Sequence, residues 1–155
     1  MTLQELKALL STELKNYCIP FWLKHGVDKE NGGLYNCLDR TGKIYSTDKS
    51  VWMQGRCGWM YSYLYNNIEK KSEYLTLAKS CIDFAREHAI DSDGRMFFTV
   101  TADGKPLRKR RYWFSETFYI IANAEYYGVT GEREHLLRAR RAYDMYWNLN
   151  HGMAD

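Results

Sequence analysis

What this sequence lacks narrows its chemistry first. No two of its four cysteines, Cys18, Cys37, Cys57 and Cys81, form a CxxC pair. That spacing speaks against a zinc site or a disulfide framework and for free thiols in a reducing compartment. There is no run of about 18 apolar residues, so no membrane span is expected. The opening stretch, MTLQELKALLSTELKNY, has no basic start, apolar block and small-residue cleavage site. It does not read as a signal peptide, and the expected location is cytoplasmic. His25, His88, His135 and His151 stand alone, without HxxxH or HExxH, so no metal is expected. No GxSxG elbow is present, and GGLYNCLDRTG lacks the Gly-Lys-Ser/Thr that completes a phosphate loop. No cofactor is expected. A net charge of +3 is too small to imply a nucleic-acid partner. One basic run, KPLRKRR at residues 105–111, reads as a solvated loop in preference to a nucleic-acid patch.

What the chain has in abundance is aromatic surface: 13 Tyr, 6 Phe and 5 Trp. Flat faces with polar edges suit sugars and bases, and they also suit helix packing. With 45% apolar and 26% charged residues, 155 residues suffice for one globular domain with a core. The stretch KSVWMQGRCGWMYSYLY, residues 49–65, concentrates the signal. Trp52, Arg56, Trp59 and Tyr63 fall at i, i+4, i+7 and i+11, one stripe of a helix. An arginine inside an aromatic stripe is costly to desolvate unless it is paired or lines a wet cavity. The stripe therefore faces a buried acid or a polar pocket with aromatic walls. Gly55 and Gly58 flank the arginine, each costing about 1 kcal/mol relative to alanine, which suggests close approach by a neighbouring helix.

About five helices are expected. The first spans residues 3–22, with Leu3, Leu6, Leu10, Leu14 and Tyr17 at 3–4 spacing, a Thr2–Glu5 capping box, and an end disturbed by Pro20. Asn31-Gly32-Gly33 marks a turn, and LYNCLDRTGKIY reads as a short β-hairpin. The second helix spans residues 48–67 and the third residues 72–90, with Ser72 as N-cap and Tyr74, Leu77, Ala78, Cys81, Ile82 and Ala85 inward. A second hairpin follows, bracketed by Asp93-Gly94 and Asp103-Gly104. The fourth helix spans residues 112–127, with Gly128 just past its end and Thr130 as N-cap of the fifth, residues 131–148. Helix, Gly-containing hairpin with a closing Gly-Lys, helix occurs twice, about 60 residues apart. Such units can stack into a ring of inner and outer helices. The chain holds about two and a half units, and the fifth helix has Tyr143, Tyr146 and Trp147 with nothing after it to pack on. Residues 1–155 are therefore expected to be the N-terminal part of a larger toroid. The alternatives are a stand-alone helical domain or a homo-oligomer that buries the open edge.

Glu116 sits near the start of the fourth helix, behind Trp113, Phe114 and Ser115. A first-turn carboxylate is favoured by the helix dipole alone. The functional alternative is that it projects into the cavity of Arg56, with Glu125 as a structural partner instead.

Three segments carry a family resemblance: the run from Phe21 to Tyr35, the run from Lys49 to Tyr61, and Asp103 to Tyr119 with its Phe-Ser-Glu-Thr-Phe-Tyr. Together they resemble the N-terminal half of the N-acylglucosamine 2-epimerase family. The resemblance implies an all-α (α/α)6 barrel, with short β-hairpins between helices. It implies a sugar 2-epimerase that interconverts N-acyl-D-glucosamine and N-acyl-D-mannosamine, acting on a small-molecule sugar. Arg56 matches the family's pocket arginine and Trp52 the tryptophan one turn before it. The candidate catalytic residue is Arg56. The candidate substrate-binding residues are Trp52, Trp59, Phe114, Glu116 and Phe118. The implied chemistry removes a proton from C2 of an open-chain sugar, passes through an enolate and returns the proton to the other face. The family's acid/base histidines lie in later repeats, so the 155-residue chain alone is expected to be inactive. Other readings are an aldose–ketose isomerase, a cellobiose-type 2-epimerase, a non-catalytic sugar-binding or assembly protein, and a sugar-cleaving α/α-barrel enzyme. The last would need a second carboxylate across the bond.

Overall fold

The computed structural model describes residues 1–109 and 112–152. Arg110 and Arg111, the end of the basic run, lie outside the described residues. The chain opens with α1 (Leu3–Glu13), a π-helical turn at Leu14–Cys18, and α2 (Ile19–His25). The Thr2–Glu5 capping box is present. The disturbance expected from Pro20 is present as this π turn, but the helix ends at His25 and not near residue 22. Proline has no N–H to donate, and its ring crowds the carbonyl one turn back. The π turn just before it widens the ladder, with Ile19 N–H bonding Leu14 O, and the helix then runs on to His25. The apolar stripe of this helix is largely uncovered. α1 buries no residue, and Leu3, Leu10 and Tyr17 are exposed.

β1 (Cys37–Leu38) and β2 (Ile44–Ser46) form the first hairpin. β3 (Lys49–Ser50) comes next, so α3 (Val51–Asn67) starts three residues later than the sequence pattern suggests. Residues 49–50 are drawn off by pairing with β4 (Thr99–Val100), beyond α4 (Ser72–His88). β4 also pairs with β5 (Pro106–Arg108), giving a three-stranded sheet. Ser72 is the first residue of α4 and Lys71 its N-cap, so the capping role expected for Ser72 is not filled. The six residues expected inward on α4 are all buried.

α5 (Phe114–Thr130) runs past Gly128 and ends at Gly131, whose φ of 73° supplies the left-handed turn. The Thr130 hydroxyl bonds back to Tyr126 O, and Glu132 is the N-cap of α6 (Arg133–Asn150). α3 packs against α5 and α4, and α5 packs against α6. Gly55 makes the α3–α5 approach possible, because a Cβ there would fall 2.7 Å from the Phe118 carbonyl carbon. Gly58 meets Ile82 of α4 and Ala122 of α5 in the same way. The core lies among α3, α4 and α5, where Tyr61, Leu77, Ile82 and Tyr119 are buried. Each contributes roughly 1.5–3 kcal/mol of apolar burial.

A buried cation holds the hairpin end together. Lys49 Nζ donates to Asp28 Oδ2 at 2.7 Å, to Gly32 O at 2.7 Å and to Ala102 O at 3.0 Å. It also lies 4.0 Å from the Phe84 ring centre. One side chain thus ties both hairpin regions to the residue from which α3 departs.

Candidate active site

α3 and α5 lie side by side and present one open face. Trp52, Arg56, Trp59 and Tyr63 project from α3, with Phe114, Phe118 and Ile121 from α5. Trp52 and Phe118 sit 5.8 Å apart at 45°. The Arg56 guanidinium is 5.6 Å from each of these two rings. Trp59 and Tyr63 make a second aromatic pair at 5.6 Å and 33°. Among the described residues Arg56 has no ion-pair partner. Arg56 is exposed, and the buried acid that was one of the two surroundings proposed for the stripe does not face it among the described residues. Beside Arg56 a cleft of about 190 Å³ is lined by Trp22, Leu34, Met53, Cys57, Met60 and Tyr61.

The structure separates Glu116 from this wall. Its carboxylate is buried, accepts from Met96 N at 2.9 Å and lies 3.9 Å from Arg95 Nε. It lines a different cavity, about 450 Å³, with residues of α4 and α6. The expectation that Glu116 shares the cavity of Arg56 is therefore corrected. Its α-carbon sits on the α5 face that turns toward the second hairpin. Glu125 reaches Asn66 at 3.4 Å and not Arg56. Trp52 and Phe118 meet Arg56 directly, and Trp59 and Phe114 share their helical stripes on α3 and α5. Tyr63 and Ile121 also join that wall. Tyr63 was visible in the stripe, and Ile121 in the apolar spacing of α5.

The arrangement can grip an oxygen that carries negative charge, and it can stack a sugar ring. It cannot remove a proton from carbon by itself, because a guanidinium stays protonated. The four histidines are placed elsewhere. His25 and His88 pack on hairpin glycines. His151 stacks on Trp147. His135 is buried, bonds Asn123 Oδ1 at 2.9 Å, and is biased toward its neutral form, first by burial and then by Arg138.

Residues 32–154 match the profile described as N-acylglucosamine 2-epimerase (GlcNAc 2-epimerase). The chain is 39% identical over 147 residues to N-acylglucosamine 2-epimerase of Rattus norvegicus, which covers 92% of this chain and 35% of the rat protein. It is 33% identical over 134 residues to a cellobiose 2-epimerase of Ruminococcus albus, covering 85% of this chain and 34% of that protein. The solved structure of cellobiose 2-epimerase from Spirochaeta thermophila superposes with a TM-score of 0.82 at 28% identity, covering 94% of this chain and 36% of that one. The chain spans about a third of the length of the curated relatives it matches. The helical hairpins described above are thus a portion of an α/α barrel.

Proposed function

Because the chain belongs to the N-acylglucosamine 2-epimerase family, we propose that it forms the N-terminal part of a sugar 2-epimerase pocket. The substrate is an N-acylhexosamine, interconverted between its gluco and manno forms. Greater identity to the rat N-acylglucosamine enzyme than to the cellobiose enzyme supports that substrate. The observation that carries the reading is the Arg56 guanidinium, held between the Trp52 and Phe118 rings on an open wall. Removing the C2 proton of an open-chain sugar leaves an enolate beside C1. A fixed cation at that oxygen stabilises the charge as it develops. Trp52, Trp59, Phe114 and Phe118 supply the faces against which the sugar stacks. Glu116 holds the backbone of Met96 and positions the start of α5. The groups that take and return the proton come from chain beyond these residues, so the 155-residue chain alone turns over no sugar.

The test is epimerisation of N-acetylmannosamine by this chain and by the same chain extended downstream in its reading frame. Activity is expected only in the longer protein. There, Arg56→Ala should lower kcat/KM by about 10²–10³-fold, roughly 3–4 kcal/mol of transition-state stabilisation. Its Tm should stay near that of the parent, since Arg56 is exposed. Full activity in Arg56→Ala would remove the assigned role. Turnover of cellobiose but not of N-acetylmannosamine would favour a disaccharide epimerase.

A further inference from the structure

The cavity lined by Glu116 lies on the other side of α5 from the aromatic wall. Its volume is about 450 Å³, within the range of small-molecule sites. Glu116 and Phe118 are two positions apart on α5, so their side chains leave the helix about 200° apart. A ligand here is therefore not the sugar that stacks on Phe118. The cavity sits in the seam between α4, α5 and α6. The face of α6 that lines it looks toward α4 and the second hairpin. Arg138 Nη1 lies 3.8 Å from Asp83 of α4, and a Cβ at Gly94 would fall 2.8 Å from Met145 Cε.

The two ends of this cavity differ in charge. Glu116, Met96 and Tyr119 form the inner end, and all three are buried. Glu134 and Arg141 stand at the mouth, and both are exposed. The inner end holds an unmet acceptor. Glu116 Oε1 takes the bond from Met96 N and the contact from Arg95 Nε. Its Oε2 is buried and has no hydrogen-bond partner among the described residues. Buried carboxylate oxygens are rarely left in that state. The mouth holds an unmet cation. Arg138 is paired with Asp83 and Glu134, and Arg86 with Asp83 and Glu87. Arg141 has no ion-pair partner among the described residues.

The preceding unit shows that the fold demands neither feature. One repeat earlier, the place of Glu116 is held by Gln54, whose two polar atoms both bond to Leu34. The place of Arg141 is held by Lys79, which pairs with Asp83 four residues on. Four residues on from Arg141 stands Met145, which offers no charge. We infer that the seam cavity is a binding site for a small amphipathic zwitterion, separate from the sugar pocket. The ligand's ammonium donates to Glu116 Oε2. Its apolar body lies along Met96, Tyr119 and Met145. Its anionic end meets Arg141 at the mouth. A simple anion would leave Glu116 unmet, and a simple amine would leave Arg141 unmet. Two opposite charges on one apolar body answer both.

Titration calorimetry on the 155-residue chain tests the site, with 6-aminohexanoate as the probe. Hexanoate and hexylamine, each lacking one of the two charges, are the controls. The zwitterion should bind with a Kd of about 1 mM or tighter, and each control at least about tenfold more weakly. Glu116→Gln keeps an acceptor for Met96 N but turns a donor toward the ligand amine. It should weaken 6-aminohexanoate by about tenfold or more with no drop in Tm. Arg141→Ala changes an exposed side chain. It should reduce 6-aminohexanoate to the level of hexylamine and leave hexylamine itself unchanged. If the glutamine variant does not fold, that second comparison still decides. The inference is overturned if 6-aminohexanoate does not bind, or if its binding survives either substitution. It is also overturned if either control binds as tightly as the probe, since only one of the two charges would then be recognised.

Discussion

Gln54 and Glu116 stand one repeat apart and do the same task with different chemistry. Gln54 clamps Leu34 from both sides: its Oε1 accepts from Leu34 N at 2.8 Å, and its Nε2 donates to Leu34 O at 2.7 Å. Glu116 accepts from Met96 N, and Met96 follows Leu34 by the same interval. Its Oε2 is buried and has no hydrogen-bond partner among the described residues. An amide carries the donor that this carboxylate lacks. Glu116→Gln should therefore keep or raise Tm, whereas Glu116→Ala, which orphans Met96 N, should cost about 1–3 kcal/mol in urea unfolding. A lower Tm for the glutamine variant would mean that the Arg95 contact outweighs the clamp. The sequence made this acid look like a ligand because it follows Trp113 and Phe114 near a helix start. The repeat register would have matched it to Gln54, and Arg56 to Phe118, but that register emerges only once the hairpins are aligned. Asp28 sets a second residue-scale test. Burial pushes its carboxyl up, but hydrogen bonds from Lys49, Asn31 and Glu30 outweigh it and hold it at about 2, against an ordinary 3.8. A depressed carboxylate contributes stability that is complete above the unfolded value and lost as pH falls toward the folded one. The loss should amount to about 2 kcal/mol between roughly pH 4 and pH 2, read as Tm against pH. Lys49→Met should cost about 3–5 kcal/mol at neutral pH by leaving Asp28 buried and uncompensated. It should also move acid unfolding to higher pH.

At the scale of elements, periodicity identified the helices well where they are buried and poorly where a neighbour competes for their ends. The six α4 positions expected inward are all buried, since a helix covered along one face shows a clean 3–4 pattern. The start of α3 was misplaced because Lys49 and Ser50 bond across to Val100 and Thr99, a pairing between strands that lie on either side of two helices in sequence. The end of α5 was misplaced because either Gly128 or Gly131 could end a helix, and only φ distinguishes them. The helical glycines give a sharp contrast. Gly128 has open space where a Cβ would go, so Gly128→Ala should stabilise by about 0.5–1 kcal/mol through helix propensity alone. Gly55→Ala gains the same propensity but drives its Cβ to 2.7 Å from Phe118 backbone, so α3 and α5 must separate. It should lose about 1–3 kcal/mol net. Because Phe118 and Arg56 meet across that seam, the aromatic wall should loosen too. Paired chemical denaturation of the two variants tests the contrast, and equal effects would show that the α3–α5 contact is not tight.

At the scale of the molecule, stability is spread unevenly. α3 and α4 share the buried core, while α1 buries none of its residues and leaves Leu3 86% exposed. The apolar stripe on α1 was legible in the sequence, but its partner was not, because a stripe states that a face wants cover without saying what covers it. Local opening follows buried apolar contact. In the 155-residue chain the amides of α1 should exchange about a hundredfold or more faster than those of α3 and α4, a difference of roughly 3 kcal/mol in opening free energy. A ring of helices changes that ordering, because its last unit returns to the first. In the chain extended downstream, protection of α1 should rise toward that of α4, with the largest gain at Leu6 and Leu10 on the stripe. Hydrogen exchange on both proteins distinguishes the cases. If α1 stays fast in the longer protein, the stripe is not the seam at which a ring closes, and the exposed leucines must be explained by something outside the toroid.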